Sequence, residues 1–263
     1  MEQFTSLALT KTGSVATLAF DRPEHLNSFD SVMRRSFVAA AQYLEQQDDI
    51  EVVVLTGNGR AFGAGADLAE QEEGLNGGES VQAMLETEYK PGVLAIGEST
   101  KTWIAAVNGP CAGISFSYAM ACDLCVIADS AFLYQPFAAI GLVPDGGATW
   151  LLPQRIGTLR AFELMILGEK VRADKALEWG LVNRVFTADR FADEVAEFAA
   201  DVAGRSPLAR RYTKQALRAA SGLSLSDTIS YEAELQKVCI DSEDCSHAIA
   251  AFLKKETPTW RGR

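Results

Sequence analysis

The 263-residue chain has only two histidines, His25 and His247, and an odd number of cysteines. Two histidines leave little for a histidine-based metal site or a Ser-His-Asp triad, so we expect no metal. The five cysteines fit no disulfide framework and are typical of a reducing compartment. The chain also lacks an apolar run of about 20 residues and an evident targeting segment. The sequence therefore predicts a cytoplasmic protein.

Positive charge is also scarce. The 24 Lys and Arg residues oppose 35 Asp and Glu residues, which gives a net charge of −11. Proteins that bind nucleic acids or membrane surfaces usually do so through dense Lys and Arg patches, so neither partner is expected. The content of 48% hydrophobic and 22% charged residues is ordinary for a globular protein.

Cys122 and Cys125 form a CxxC pattern inside the apolar run Ala121 to Ile127. A structural zinc site of this type needs a second pair of ligands, and the sequence offers none. We therefore predict two buried structural thiols.

The organisation of the chain changes near residue 190. Before it, short apolar runs alternate with helical periodicity, and after it only helical periodicity remains. We predict an α/β core over 1–200 and a helical region over 201–263. The predicted strands are Ser14–Phe20, Glu51–Thr56, Thr102–Val107, Asp123–Asp129, Ala131–Gln135 and Leu181–Phe186. The predicted helices are one capped by Ser28, Ile114–Cys122, Gly146–Leu167 with a break at Pro153–Gly157, Phe191–Ala203, Leu208–Ala220, Leu225–Val238 and Ser242–Lys254.

Two glycine-bearing loops, Gly59–Leu68 and Asn108–Ser115, each follow a predicted strand and lead into a predicted helix. Gly63 and Gly65 allow a close approach that side chains would block. Backbone N–H groups near a helix start suit an anion or a polarised carbonyl. Taken alone, a strand-to-helix turn with small residues is more often plain turn geometry than a functional site. The first loop is not the dinucleotide-binding fingerprint, since no GxGxxG pattern is present.

The ordered set of motifs is more specific than any one of them. It resembles the crotonase superfamily, also called the enoyl-CoA hydratase/isomerase family, over nearly the whole chain. The matching segments are Asp21–Phe29, Phe62–Leu68, Asn108–Gly113, Cys122–Leu124, Gly141–Gly147 and Ala173–Val182.

The resemblance implies a fold, a substrate class and an assembly. The fold would be an α/β spiral of repeated β-β-α units with a C-terminal helical region used to form a homotrimer or a dimer of trimers. The substrate would be an acyl-CoA thioester, so CoA would be part of the substrate and no cofactor would be bound permanently. The N–H groups of Ala66 and Ile114 would hold the thioester oxygen, on which negative charge develops during enolate chemistry.

Hydratases of this family use two glutamates, and both are missing here. On residue matching, the first position is Ser117 and the second is Phe137, which follows Gln135-Pro136. A lone serine is a poor base and phenylalanine cannot carry a proton. Hydration by the usual route is therefore not expected.

Asp145 matches the catalytic acid position of family isomerases, including Δ3,Δ2-enoyl-CoA isomerases and the ring-oxepin isomerase of phenylacetate degradation. A single carboxylate suffices to move a proton from C2 to C4 of an enoyl thioester. We expect apolar neighbours such as Phe137 to raise its pKa. The alternative is a structural one, in which Asp145 caps the following helix.

Other reactions of the family stay open, namely atypical hydration, thioester hydrolysis and ring or epoxide isomerisation. A non-catalytic acyl-CoA-binding protein that has lost the glutamates is also possible. A dehalogenase of 4-chlorobenzoyl-CoA would use a histidine on the helix before the second loop. No histidine occurs between residues 26 and 246, which argues against that reaction.

Contacts to substrate are implied by the resemblance alone. The backbone at His25–Leu26 and Ala64–Leu68 would hold the adenine, and Arg22 would meet phosphates. Phe252 and Lys255 would reach the CoA of a neighbouring subunit, although Lys255 also suits a solvated helix end. The predicted substrate-binding set is Arg22, His25, Leu26, Ala64, Gly65, Asp67, Leu68, Gly113, Phe137, Phe252 and Lys255.

Overall fold

The computed structural model describes residues 2–70 and 77–262. The chain divides into two compact units, Met1–Ala199 and Ala200–Arg263. Among the described residues, no helix is long and apolar enough to cross a membrane.

The first unit is built on a six-stranded sheet with the order β1-β2-β3-β4-β6-β9. β1 and β2 are antiparallel, and the other neighbours are parallel. One row of the register joins Leu18, Leu55, Ala105 and Cys125, all of which are buried. Apolar residues at matching positions of neighbouring strands are typical of a parallel sheet that is covered on both faces. The bounds are β1 Leu7–Thr12, β2 Val15–Phe20, β3 Val52–Gly57, β4 Thr102–Val107, β6 Leu124–Ala128 and β9 Arg184–Phe186.

A second, three-stranded sheet has the order β5-β7-β8. β5 (Cys111–Ala112) pairs in parallel with β7 (Phe132–Tyr134), and β7 pairs antiparallel with β8 (Val171–Arg172). The N–H of Gly113 donates to the carbonyl of Tyr134 directly after this pairing. The small sheet therefore holds the second glycine loop from one side.

Helices pack on the sheets of this unit, and α4 is buried along its whole length. An aromatic cluster surrounds it, with the ring of Tyr118 lying 4.9 Å from Phe37 and 5.0 Å from Phe29. The bounds are α1 Ser31–Glu45, α2 Gly78–Met84, α3 Lys90–Glu98, α4 Ile114–Ala121, α5 Ala148–Leu167, α6 Ala173–Glu178 and α7 Phe191–Ala203. A π-helical turn, Leu85–Tyr89, joins α2 to α3, and 3-10 turns form at Pro23–His25 and Phe137–Ile140.

The second unit contains α8 (Pro207–Ala220), α9 (Leu225–Ile240) and α10 (Glu243–Lys254). Each begins after a serine N-cap, Ser206, Ser224 or Ser242, whose hydroxyl accepts a backbone N–H of the first turn. Such caps satisfy donors that a helix start leaves unpaired.

Most predicted elements are confirmed, with boundary shifts of a few residues, and Cys122 and Cys125 are buried as predicted. The predicted cap was wrong, because Asp30, and not Ser28, accepts the N–H of Met33 at the start of α1. Ser28 instead donates to Asp67. The sequence analysis gave no bounds for the strands β1, β5 and β8 or for the helices α2, α3 and α6.

The side chain of Asn27 joins two separate segments of the first unit. It is fully buried with a φ of 56°, a left-handed conformation that asparagine tolerates better than most residues. Its Nδ2 donates to the carbonyls of Asn58 and Ala61 at 3.0 and 2.8 Å, and its Oδ1 accepts the N–H of Arg22. One side chain therefore joins the first motif to the loop that follows β3.

We expect Asn27→Ala to lower the free energy of unfolding by about 2–4 kcal/mol. It leaves three backbone groups without their side-chain partner, of which the carbonyl of Ala61 is buried, and alanine is strained at this φ. Urea unfolding measures the change. Gln42→Ala, at an exposed amide on α1, is the control and should change stability by less than about 0.5 kcal/mol. Equal effects of the two substitutions would contradict the assigned role of Asn27.

Candidate active site

The two glycine loops meet backbone to backbone. Gly65 and Gly113 have φ values of +100° and +55°, which side-chain-bearing residues rarely adopt. A Cβ on Gly65 would lie 3.2 Å from the carbonyl oxygen of Ala112, and one on Gly113 would lie 3.6 Å from the Cα of Gly65. Glycine at both positions allows this approach, as the loop motifs predict.

The N–H groups of Ala66 and Ile114 lie one residue beyond these two glycines. The neighbouring amides are used, since Gly65 donates to Ser115 Oγ and Asp67 donates to the carbonyl of Phe29. The amides of Ala66 and Ile114 donate no hydrogen bond to any other described residue. Ile114 is the first residue of α4, where helix N–H groups have no partner inside the helix. Two unused donors on touching loops are what an oxyanion site requires.

Ser115 connects α4 to the first loop. The residue is fully buried, and its Oγ accepts the N–H of Gly65 at 3.1 Å. A Cβ on Gly63 would lie 2.4 Å from the same Oγ. Gly63 is therefore required because the Ser115 side chain occupies the space that a larger residue would need.

Asp145 lies on the turn that leads into α5. Its Oδ1 is buried and has no hydrogen-bond partner within the described residues. The N-cap of α5 is Gly147, and no side chain caps that helix. The carboxylate of Asp145 therefore does not have the structural capping role that the sequence left open.

Burial raises the pKa of Asp145 to about 6, against a smaller opposing effect from its own backbone N–H. This agrees with the rise expected from the sequence. In turn, the charge of Asp145 contributes to the raised pKa values of Tyr89 and Tyr118, for which burial is the main cause. Asp145 can therefore change protonation near neutral pH, whereas both phenols stay protonated.

The turn that carries Asp145 packs directly on α4. The hydroxyl of Ser117 donates to the carbonyl of Asp145 at 2.9 Å, and the N–H of Ala148 donates to the same carbonyl at 3.1 Å. A Cβ on Gly146 would lie 2.1 Å from Cδ1 of Ile114 and 2.9 Å from Cβ of Ser117. This contact requires glycine after the acid.

Phe137 borders the second loop, because a Cβ on Gly113 would lie 3.9 Å from its Cζ. Phe137 and Ser117 are both buried, so the two positions where hydratases of the family carry glutamates hold an aromatic ring and a small hydroxyl. Among the described residues, no group of three or more His, Cys, Asp or Glu side chains is placed to hold a metal.

The residues predicted to hold CoA differ in their exposure and in the contacts that they already make within the protein. Arg22 contacts Asp67 at 3.0 Å and Asp30 at 3.3 Å, and 14% of its side chain is exposed. Burial by itself would raise the pKa of Asp67. The hydrogen bonds from Arg22 and Ser28 outweigh burial, so the pKa is lowered and the carboxyl stays ionised. Arg22 therefore orders the first loop through Asp67, and its contact with phosphates stays a prediction.

The other predicted contacts lie on the surface. His25, Ala64 and Leu68 are exposed, and Leu26 is half-buried with a φ of 53°. In the second unit, Phe252 is 80% exposed and Lys255 follows α10 in a left-handed conformation. Their roles toward a CoA also stay predictions.

The sequence and the fold of the chain are similar to those of known proteins. The profile of the Enoyl-CoA hydratase/isomerase family matches residues 10–263. The chain belongs to this family. The enoyl-CoA hydratase/isomerase resemblance inferred from its motifs is thus confirmed, and with it the crotonase-type α/β fold.

Relatives within the family carry out different reactions. The chain is 34% identical over 250 residues to 1,2-epoxyphenylacetyl-CoA isomerase of Escherichia coli K12, with 95% of each chain covered. It is 33% identical to carnitinyl-CoA dehydratase of Proteus mirabilis, which covers 98% of this chain and 99% of the relative. The crystal structure of enoyl-CoA hydratase from Bacillus anthracis superposes with a TM-score of 0.94 at 27% identity, covering 98% of this chain and 100% of that chain. These similarities establish the family but not the reaction, which has to be inferred from the residues of the site.

Sequence reasoning missed three features of the site. These are the hydroxyl contacts of Ser115 and Ser117, and the proximity of Tyr89 to Asp145. A weak signal was present, since two serines inside a short apolar helix need hydrogen-bond partners once buried. Their partners lie 50 and 28 residues away, so the sequence could not identify them.

The raised pKa of Asp145 predicts a pH-dependent stability cost. The carboxyl is ionised in the unfolded chain above its ordinary value of 3.8 but resists ionisation in the folded chain up to about 6. Stability contributed by the neutral form is therefore present at low pH and lost as pH rises through this window. At pH 8 the cost is about 3 kcal/mol. We expect Asp145→Asn to raise the free energy of unfolding by up to this amount at pH 8 and by little at pH 4.

Urea unfolding at the two pH values measures the difference. The exposed Asp48→Asn serves as the control and should leave stability within about 0.5 kcal/mol at both pH values. A stability gain of Asp145→Asn that is equal at pH 4 and pH 8 would contradict the raised pKa.

The contact between Gly63 and Ser115 predicts a compensating pair. Gly63→Ala should lower the free energy of unfolding by about 1–3 kcal/mol, because the new Cβ overlaps Ser115. In the background of Ser115→Gly the same change should cost at least about 1 kcal/mol less. A double-mutant cycle by urea unfolding tests this, and purely additive effects would show that the two side chains do not compete for the space.

Proposed function

We propose that the chain is an acyl-CoA isomerase that shifts a C=C bond of an enoyl-CoA thioester from the Δ3 to the Δ2 position. Asp145 is the acid/base, and the N–H groups of Ala66 and Ile114 form the oxyanion hole. The observation that carries the proposal is the buried, unpartnered Oδ1 of Asp145 on a carboxyl whose pKa lies near 6.

The reaction moves one proton and leaves the composition of the substrate unchanged. The ionised Asp145 removes a proton from C2, and the electron pair of that C–H bond forms a dienolate with its charge on the thioester oxygen. The two backbone donors stabilise this charge, and the loss of one such donor typically costs about 2.7–4 kcal/mol. Asp145 then returns the proton at C4, which leaves the double bond between C2 and C3.

The residues around the acid favour this reaction over hydration. Hydration needs a group that activates water as well as one that moves the proton at the α-carbon. Ser117 directs its hydroxyl to a backbone carbonyl, and Phe137 has no ionisable group. A single carboxyl that titrates near neutral pH matches a proton shift, in which the same group acts first as base and then as acid.

Substrate binding and assembly are further parts of the proposal. We assign CoA to the surface that includes His25, Ala64 and Leu68, with no permanently bound cofactor. Assembly as a homotrimer or a dimer of trimers is supported by large apolar side chains on the second unit, which are 70–80% exposed and would be covered by a subunit contact. These side chains are Leu217, Leu225, Phe252 and Leu253. A cytoplasmic location remains a prediction.

Isomerisation of a ring epoxide is the second candidate function. It is supported by the 34% identity to 1,2-epoxyphenylacetyl-CoA isomerase over 95% of the chain. It uses the same acid and oxyanion hole, so the substrate alone distinguishes the two. A panel of a 3-enoyl-CoA, a 2-enoyl-CoA and a ring-epoxidised arylacetyl-CoA, followed by absorbance and mass, separates them. Each isomerisation changes the absorbance of its own substrate at constant mass, and hydration adds the mass of a water molecule.

We expect Asp145→Asn to lower kcat by about 100- to 10,000-fold and to leave acyl-CoA affinity unchanged, because it removes the proton carrier alone. In the unaltered enzyme, kcat/KM should rise with pH through about 6, since the base must be ionised. Steady-state kinetics on a 3-enoyl-CoA and calorimetric titration with a saturated acyl-CoA measure the two quantities.

The exposed Asp48→Asn is the matched control and should keep the kcat of the unaltered chain. Turnover that survives Asp145→Asn would exclude this residue as the base. Tight binding of acyl-CoA without turnover of any thioester in the panel would favour a non-catalytic binding protein.

A further inference from the structure

Two serines on α4 hold the two halves of the site. Ser115 accepts the N–H of Gly65 on the first glycine loop, and Ser117 donates to the carbonyl of Asp145 on the acid turn. Both serines are fully buried, and both bonds reach segments far away in the sequence. The same helix supplies the Ile114 amide at its first residue.

We propose that Ser117 is the positioning residue of the Asp145 carboxylate and that Ser115 is the positioning residue of the Ala66 amide. The hydroxyls thereby set the distance between acid and oxyanion hole. The inference rests on the isomerase function proposed above and assigns to Ser117 a role other than that of the hydratase glutamate it replaces.

The geometry of the acid turn explains why a hydroxyl is needed. The carbonyl of Asp145 accepts both the N–H of Ala148 and the hydroxyl of Ser117, so two donors on different elements fix its peptide plane. Oδ1 of its carboxylate is buried without a hydrogen-bond partner, so no other described side chain holds that oxygen in place. The orientation of the carboxylate consequently depends on the backbone that Ser117 holds.

The first loop has the same arrangement with donor and acceptor reversed. The Oγ of Ser115 accepts the N–H of Gly65, so the bond holds the Ala64–Gly65 peptide against α4, one peptide before the one that carries the Ala66 N–H. Gly63 provides the space for this side chain. Because proton transfer and oxyanion binding act on atoms of one substrate, a shift of about 1 Å in either loop can lower the rate about 100-fold.

The two serines differ in what they position, and this difference makes a discriminating test. Ser117→Ala should lower kcat about 10- to 100-fold with KM changed less than about threefold. It should also lower the pKa seen in kcat/KM from about 6 toward 3.8, because a freed carboxylate gains water. Ser115→Ala should lower kcat without moving that pKa, because the acid turn keeps its bond.

The measurements are kcat, KM and the pH dependence of kcat/KM on a 3-enoyl-CoA, with thermal unfolding as the check of folding. Carbon-13 NMR of carboxyl-labelled aspartate reports the same pKa without any substrate, and the Asp145→Asn spectrum identifies the signal. Ser117→Cys keeps most of the side-chain volume with a weak donor and should resemble Ser117→Ala. Ser99→Ala removes a buried hydroxyl that bonds Glu45 outside the site, and it should keep both kcat and the pKa.

Unchanged kcat and pKa in Ser117→Ala would overturn the proposal. So would equal losses of kcat in both serine variants with the pKa of Asp145 unmoved, since that is the result of a merely structural role. The proposed function fails separately, if Asp145→Asn retains turnover. An inactive Asp145→Asn together with an unaltered Ser117→Ala would leave the isomerase function intact and remove only the role of Ser117.

Discussion

The complete burial of α4 is the constraint on which the site depends. Every residue from Ile114 to Ala121 is at most 5% exposed, so the serine hydroxyls on this helix must find partners inside the protein. The partner of Ser115 lies on the first glycine loop, and the partner of Ser117 lies on the turn that carries Asp145. These two segments are far apart in the sequence. Satisfying two buried hydroxyls thus fixes the relative position of the groups that we assign to the reaction.

Close backbone packing is the second requirement. Gly63, Gly65, Gly113 and Gly146 all lie where a Cβ would approach a neighbour or where φ is positive. The same packing excludes water from Asp145 and raises its pKa, at a cost in stability above that pKa. A destabilised carboxyl on a turn that contacts Ile114, whose amide is unused, is a typical feature of a functional site and not of one arranged for stability.

Much of this organisation could be predicted from local patterns. The β-branched run at Val52–Leu55 and the apolar stretch at Ile114–Ala121 are unambiguous, and the helical tail after residue 190 shows regular periodicity. β1 (Leu7–Thr12) was missed because it is a half-buried strand at the sheet edge, and half of its residues are polar, so its pattern gives little signal. The cap at Ser28 was wrong because a buried bond to Asp67 competes for the hydroxyl.

The linear sequence is enough to recognise the family, the two glycine loops, the absence of both hydratase glutamates and the position of Asp145 after Pro144. These are properties of residue identity and spacing along the chain. The folded structure is needed to see that Asp145 leaves α5 uncapped, that burial brings its pKa to about 6, and that Ser117 holds its carbonyl. Desolvation and hydrogen bonds between distant segments depend on which surfaces fold against each other, and no local pattern carries that information.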